Sequence, residues 1–192
     1  MGKKILRINA SARYEKSISR QRTDEIIKQM SLASGDVNVT VRNVAKGLPF
    51  VGRKWVKLKS KPIEEYTSED RSVMQLSQEL VEELKTHNHY IFACPVYNFM
   101  IPASLKAWVD LVTLPGHTFQ ATENGPRGLL ENKTATLVFS SSNTEIGSKR
   151  DHASSYLTSI LNFIGVEDIH VIGGKNDIPV KKIIDQYKAC TA

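Results

Sequence analysis

Short apolar runs with a strand's two-residue period alternate with longer runs at helical spacing along this chain, and that alternation restricts the fold most. "KKILRINA" reads as a first strand. "ISRQRTDEIIKQMSLAS" reads as a helix, with Ile18, Ile26, Ile27 and Met30 facing inward. "VNVTVRNV" alternates as a second strand should. Val51 to Glu65 is irregular and basic, after which "SEDRSVMQLSQELVEELKTH" returns to helical spacing with Ser68 as its N-cap. "YIFACP", "TATLVFS" and "DIHVIGG" supply three more strands. Between and after them lie the helices "PASLKAWVDLV", with Pro102 near its start, "ASSYLTSILNFIG", closed by Gly165, and "VKKIIDQYKA". Strands separated by helices pair in parallel through right-handed crossovers, so the sheet is covered on both faces. One α/β domain over residues 1–192 is expected. The long excursion from Leu114 to Lys133 contains "TENGPRGL", which reads as a turn.

Composition narrows the function classes. With 24% charged and 41% hydrophobic residues, the chain carries enough apolar side chains for a real core. No apolar run approaches the roughly 20 residues that span a bilayer. No cleavable leader is expected, since "MGKKILRINAS" reads directly as a strand, and Leu6 stands where a myristoylation signal requires Ser or Thr. A cytoplasmic protein without a membrane partner is expected. Cys94 and Cys190 are too few for a disulfide framework, and Cys94 reads as a buried strand residue. The five histidines show no metal spacing. His87 and His89 read as favourable charges at a helix C-terminus. The net charge of +6 is concentrated in "RKWVKLKSK" and "KKIIDQYK". No basic reading helix or stacking aromatic platform accompanies it, so no nucleic-acid partner is expected. The charge is either a solvated face or a field that attracts an anionic ligand.

In an open α/β sheet, ligands sit beyond the carboxyl ends of the strands where strand order reverses. Three turns therefore matter. The first, "NASARYEKSIS", lacks both G-x-G-x-x-G and G-x-x-x-x-G-K. Ser11, Ser17 and Ser19 surround the start of a helix, where hydroxyls and orphan N–H groups hold a phosphate monoester or simply cap the helix. The second, Val96, Tyr97, Asn98 and Phe99 after Pro95, either lines a flat heteroaromatic ligand or packs on top of the sheet. The third, "FSSSNTEIGS", donates N–H groups to a ring edge or is a plain surface loop.

"PVYNFMIPASLKAWVDLV" together with "TFQATENGPRGLL" strongly resembles the FMN-dependent NADH:quinone oxidoreductases known as azoreductases, a branch of the flavodoxin-like quinone reductases. The resemblance runs through essentially the whole chain. It implies a flavodoxin-like three-layer sandwich, with a five-stranded parallel sheet in the order 2-1-3-4-5. It also implies non-covalent FMN, NADH or NADPH as donor, and a quinone or azo acceptor. A homodimer with each flavin at the subunit interface completes the expectation. Carried over by position, Ser11, Ser17, Ile18 and Ser19 match the phosphate loop, and Val96, Tyr97, Asn98 and Phe99 the turn along the isoalloxazine. Ser140, Ser141, Ser142 and Asn143 match the loop at the pyrimidine edge.

Two positions depart from the family pattern. Ile18 stands where a polar side chain is common, and "SSSN" replaces Ser-Arg-Gly-Gly. Asn143, tolerant of left-handed angles, is expected to preserve part of that turn.

A bound flavin does the redox chemistry at its N5, in a ping-pong scheme that requires no protein acid or base, so no catalytic side chain is assigned. Phe119 reads as an aromatic wall over the ring or a hairpin packing residue. Asn98 and His117 are candidates to polarise an acceptor, although a lone loop histidine is also read as structural. Trp55 reads as part of a lid over a partner's site. Trp108 covers an outer helix face or packs inside the monomer. Two alternatives stand beside this reading: a flavodoxin-like carrier of single electrons, disfavoured by the basic charge, and a flavin-less binding module on the same fold.

Overall fold

The computed structural model describes residues 4–35, 37–173 and 181–185. Five strands, β1 (Lys4–Asn9), β2 (Asn38–Asn43), β3 (His89–Pro95), β6 (Thr134–Ser140) and β7 (Asp168–Ile172), form the sheet in the order β2-β1-β3-β6-β7. Every neighbouring pair is parallel. Counted without the hairpin described below, this is the order 2-1-3-4-5. β3 is buried at all seven positions, as a central strand covered on both faces requires.

Two apolar layers flank the sheet. Leu6, Ile8, Tyr90, Phe92, Leu137 and Phe139 point toward α3 (Ser68–Thr86), α4 (Ala103–Val112) and α5 (His152–Phe163). On the other face Ile5, Ile91, Val138 and Ile172 meet Ile26 and Met30 of α1 (Ile18–Ser34) and Ile183 of a helical stretch over 181–185. Ile26 and Met30 face inward as their spacing predicts, whereas Ile18 is 57% exposed. The remainder of "VKKIIDQYKA", with Cys190 and the final glycine of "DIHVIGG", lies outside the described residues.

Several local expectations are corrected. Thr67, not Ser68, caps α3. Its hydroxyl accepts the Asp70 N–H and the Asp70 carboxylate accepts the Thr67 N–H, each at 3.1 Å, which makes Ser68 the first helical residue. The stretch read as irregular contains α2 (Arg53–Leu58), whose phase turns Trp55 and Leu58 inward and the cations outward. Trp55 is 6% exposed and its indole N–H donates to Ser77 Oγ at 2.8 Å, so it is a core residue under α3 and not a lid. Trp108 is fully buried, edge-on to Phe92 with ring centroids 5.6 Å apart, and covers no outer face. His89 is a buried strand residue, not a helix-terminal charge. His87 is the C-cap of α3, donating from Nδ1 to the Glu83 carbonyl at 2.7 Å.

The excursion is a hairpin. β4 (Phe119–Thr122) pairs antiparallel with β5 (Gly125–Gly128). Its sequence passes for a simple turn because each strand has only four residues. It docks on the far end of α5, where Leu130 N–H donates to the Ile164 carbonyl at 2.9 Å. Gly165, at φ 103, ends that helix in a Schellman arrangement: Gly165 N–H reaches the Asn162 carbonyl and Val166 N–H the Leu161 carbonyl.

Candidate functional site

The carboxyl ends of β1, β3 and β6 open into one cleft of about 300 Å³. Ser11, Arg13, Lys16, Ser17 and Ile18 line it from the first turn, Pro95, Val96 and Tyr97 from the second, and Ser140, Ser141 and Ser142 from the third. Three turns far apart in sequence thus meet because parallel strands deliver their carboxyl ends to one edge.

The first turn is built by α1. Ser17 is the N-cap, accepting the Arg20 N–H at 3.4 Å, and its hydroxyl lies 3.2 Å from that of Ser19, which is fully buried. No acidic side chain occupies the first turn of α1, so its positive end faces the cleft uncancelled. Ser11 Oγ accepts the Arg13 N–H at 3.2 Å. Arg20 ties the loop together: one guanidinium nitrogen donates to the Ser11 carbonyl at 2.8 Å and to Asn43 Oδ1 at 3.1 Å, and its charge sits 4.9 Å from the Tyr14 ring. Its Nε is buried without a hydrogen-bond partner among the described residues. Burial, and next the charge of Arg7, lower its pKa.

The second turn is strained. Tyr97 and Met100 exchange backbone hydrogen bonds at 2.9 and 3.0 Å around Asn98 (φ 49) and Phe99 (φ 68). Two positive φ values in a two-residue connection define a type I′ turn, which strongly favours glycine at its second position. Here that position is phenylalanine, 47% exposed, beside Tyr97 at 39%. The His152 N–H holds the turn by donating to the Phe99 carbonyl at 3.1 Å. A bulky side chain in the left-handed region costs about 1–2 kcal/mol and marks a site where display of that side chain is selected over stability. Phe99→Gly and Phe99→Ala remove the ring equally, so their difference reads the backbone. Phe99→Gly should be the more stable by about 1 kcal/mol in urea unfolding, reversing the usual order. Equal stabilities would contradict the strain.

From Ser140 to Asn143 the third turn has no left-handed residue; its positive φ falls later, at Gly147 (φ 86). Asn143 does not adopt the positive φ anticipated for it, and neither does Ser142; among described non-glycine residues only Asn98, Phe99 and Asn132 do. Ser141 Oγ instead accepts the Thr144 N–H at 2.8 Å, so this stretch closes without a glycine at positions 142 and 143. Asn98, Phe99 and Asn143 flank the cleft on the same turns without lining it. Cys94 lies fully buried behind them, and burial raises its thiol pKa.

Phe119 is not a wall of this cleft. It packs on Phe163, with ring centroids 4.6 Å apart, at the other end of α5. His117 follows α4 at that end too, where burial and then Lys85 lower its pKa. A larger hollow of about 1040 Å³ lies there, among the hairpin, Phe163 and Asp168. It borders the amino-terminal ends of the strands, where no turn of this kind opens.

A family profile described as a flavodoxin-like fold matches residues 3–189. The "FMN-dependent NADH:quinone oxidoreductase 1" of Colwellia psychrerythraea is 41% identical over 169 residues, covering 88% of this chain and 87% of that one. The FMN-dependent NADH:quinone oxidoreductase of Thiobacillus denitrificans is also 41% identical over 169 residues, with 88% and 82% covered. The chain belongs to the FMN-dependent NADH:quinone oxidoreductase family. Among solved structures, an azoreductase from Bacillus anthracis superposes with a TM-score of 0.80 at 23% identity, covering 98% of each chain. An FMN-dependent NADH-azoreductase from the same species, in complex with FMN, gives 0.78 at 23% identity, with 98% of this chain and 95% of that one covered. These two likenesses establish the shared fold.

Within this quinone oxidoreductase family member, sequence reasoning missed Arg13 and Lys16 as cleft residues. Neither carries a sequence signal of its own, and only their position at a capped helix entrance distinguishes them.

Proposed function

We propose that this chain is an FMN-dependent oxidoreductase that transfers two electrons from NADH or NADPH to quinones in a ping-pong cycle. Reductive cleavage of azo compounds is a related activity. The observation that carries this reading is the convergence of the three turns in one cleft, in a chain 41% identical to named FMN-dependent NADH:quinone oxidoreductases. The residues present fit the cofactor. The cleft-lining hydroxyls of Ser11 and Ser17 and an uncancelled helix N-terminus suit a phosphate dianion, and two displayed rings suit a flat heterocycle.

Ser11, Ser17, Ile18 and Ser19 would hold the phosphate, the last two through backbone N–H groups at the start of α1. Val96, Tyr97, Asn98 and Phe99 would lie along the ring system, and Ser140, Ser141, Ser142 and Asn143 would meet its polar edge. When bound, FMN supplies the redox chemistry, taking electrons from the nicotinamide and passing them to the acceptor. The protein's own part is to orient and to exclude water. Tyr97 and Phe99 shield one side, and the strained turn keeps both rings from collapsing into the core. No side chain is required to move a proton, and buried Cys94 is not a nucleophile in this scheme.

We further infer a homodimer in which a second copy completes the open side of each cleft, and a cytoplasmic location. No described helix is long and apolar enough to cross a membrane.

The test is anaerobic. NADH added to the FMN-loaded protein should bleach the visible flavin absorbance in a single two-electron phase, and benzoquinone should restore it. Bound FMN that NADH leaves oxidised would sink the reductase reading.

A further inference from the structure

The entrance to the cleft carries more positive charge than capping requires. Arg13 and Lys16 line it, both are exposed, and neither forms an ion pair with any described carboxylate. Among the described residues no carboxylate lines the cleft. Behind the loop, Arg20 binds the Ser11 carbonyl and lies against the Tyr14 ring, pinning two points of the segment that presents Arg13 and Lys16. Asp24, the nearest acid on α1, is engaged by Arg7. Glu15 is exposed and does not line the cleft. Partly buried, Arg20 has no partner for its Nε and no counter-charge in direct contact among the described residues.

Like charges gathered without partners repel one another, and an anion that joins them relieves that repulsion. Ile18 provides no side-chain donor at the position between Ser17 and Ser19, which leaves part of an anion's shell to be filled by other groups.

Resting on the flavin reading above, we propose that Arg13 and Lys16 form a cationic clamp on the terminal phosphate of the cofactor, with Arg20 as the residue that positions the clamp. The clamp makes affinity for the phosphorylated flavin depend on charge, in addition to the serine and helix-terminal hydrogen bonds. Charge-assisted contacts to phosphate are about twice as strong as neutral ones. Exposed cations are screened by salt within about 10 Å at ~0.1 M.

The test compares FMN with riboflavin, which has the same ring and no phosphate. For Arg13→Ala/Lys16→Ala, FMN binding measured by flavin fluorescence should weaken about 10- to 100-fold, while riboflavin binding changes less than about threefold. Arg13→Lys/Lys16→Arg should keep FMN affinity within a few-fold. In the wild-type protein, salt should weaken FMN binding and leave riboflavin nearly unaffected. Independently of flavin, inorganic phosphate should raise the Tm of the flavin-free wild type and not that of the alanine variant. Equal losses for both flavins, no loss for FMN, or a charge-preserving variant as weak as the alanine one would overturn the clamp. A wild type that binds neither flavin but keeps its phosphate-dependent Tm rise would leave the clamp standing and remove the FMN reading.

Discussion

Replacing Gly128 with alanine is expected to destabilise the protein by about 3 kcal/mol. A Cβ on Gly128 would stand 2.1 Å from the Gly165 backbone nitrogen and 2.4 Å from its Cα. Both obstacles are main chain, so no side chain can rotate away. Gly165 is held in place by the helix ending, where its own N–H bonds the Asn162 carbonyl and the Val166 N–H bonds the Leu161 carbonyl. The alanine must therefore push the hairpin off α5 and break the Leu130-to-Ile164 hydrogen bond. Gly52→Ala is the control: nothing lies within 4 Å of its Cβ position. Its φ is −96, and the change should cost less than about 1 kcal/mol. Urea unfolding of both variants measures the contrast. A Gly128→Ala protein as stable as the wild type would show that the hairpin does not pack this closely.

Acid should weaken the fold through His89. The ring is fully buried between Thr134 and Thr136, with Nδ1 at 2.6 Å and Nε2 at 3.1 Å from their hydroxyls, and burial followed by the neighbouring His170 brings its pKa down to about 3. The folded state thus resists a proton that the unfolded chain accepts near pH 6.5. Stability from this group is complete above about pH 6.5 and is lost as pH falls toward 3. In that window the slope approaches about 1.4 kcal/mol per pH unit, with a ceiling of about 5 kcal/mol. Set against a typical total of about 5–15 kcal/mol, that is a large share. Stabilities at several pH values should show a steep acid loss in the wild type and a shallower one in His89→Gln, which keeps partners for both hydroxyls. Parallel curves would assign the loss to other groups.

Much of the architecture was legible because it depends on periodicity. Strand identity follows from short apolar runs spaced by helical ones, and those runs are where the sheet lies, whereas the strand order was implied by the family resemblance and not by periodicity. The errors share a different cause. Trp55 sits among lysines in sequence, but the phase of a six-residue helix turns it and Leu58 inward, which local composition does not reveal. The hairpin looked like a turn because Gly128 matters through contact with Gly165, a partner 37 positions away. Its motif helped to recognise the family, yet in this chain it builds packing far from the cleft. His89 looked like a helix-end charge because the helix stops at Thr86, just before the strand begins. The three turns were identified from topology alone. Arg13 and Lys16 were not, since a loop cation carries no sequence signal of what it faces. The strain at Phe99 was equally hidden: "YNF" names the residues but not the sign of φ.

The central claim is that this cleft holds FMN, and titrating FMN into flavin-free protein tests it most directly. The expected result is saturable binding of one FMN per chain, with a perturbed flavin spectrum and a dissociation constant of about 1 µM or tighter. A free-flavin spectrum that stays unchanged at every protein concentration would contradict the account, leaving a flavodoxin-like sheet whose three turns serve some other ligand.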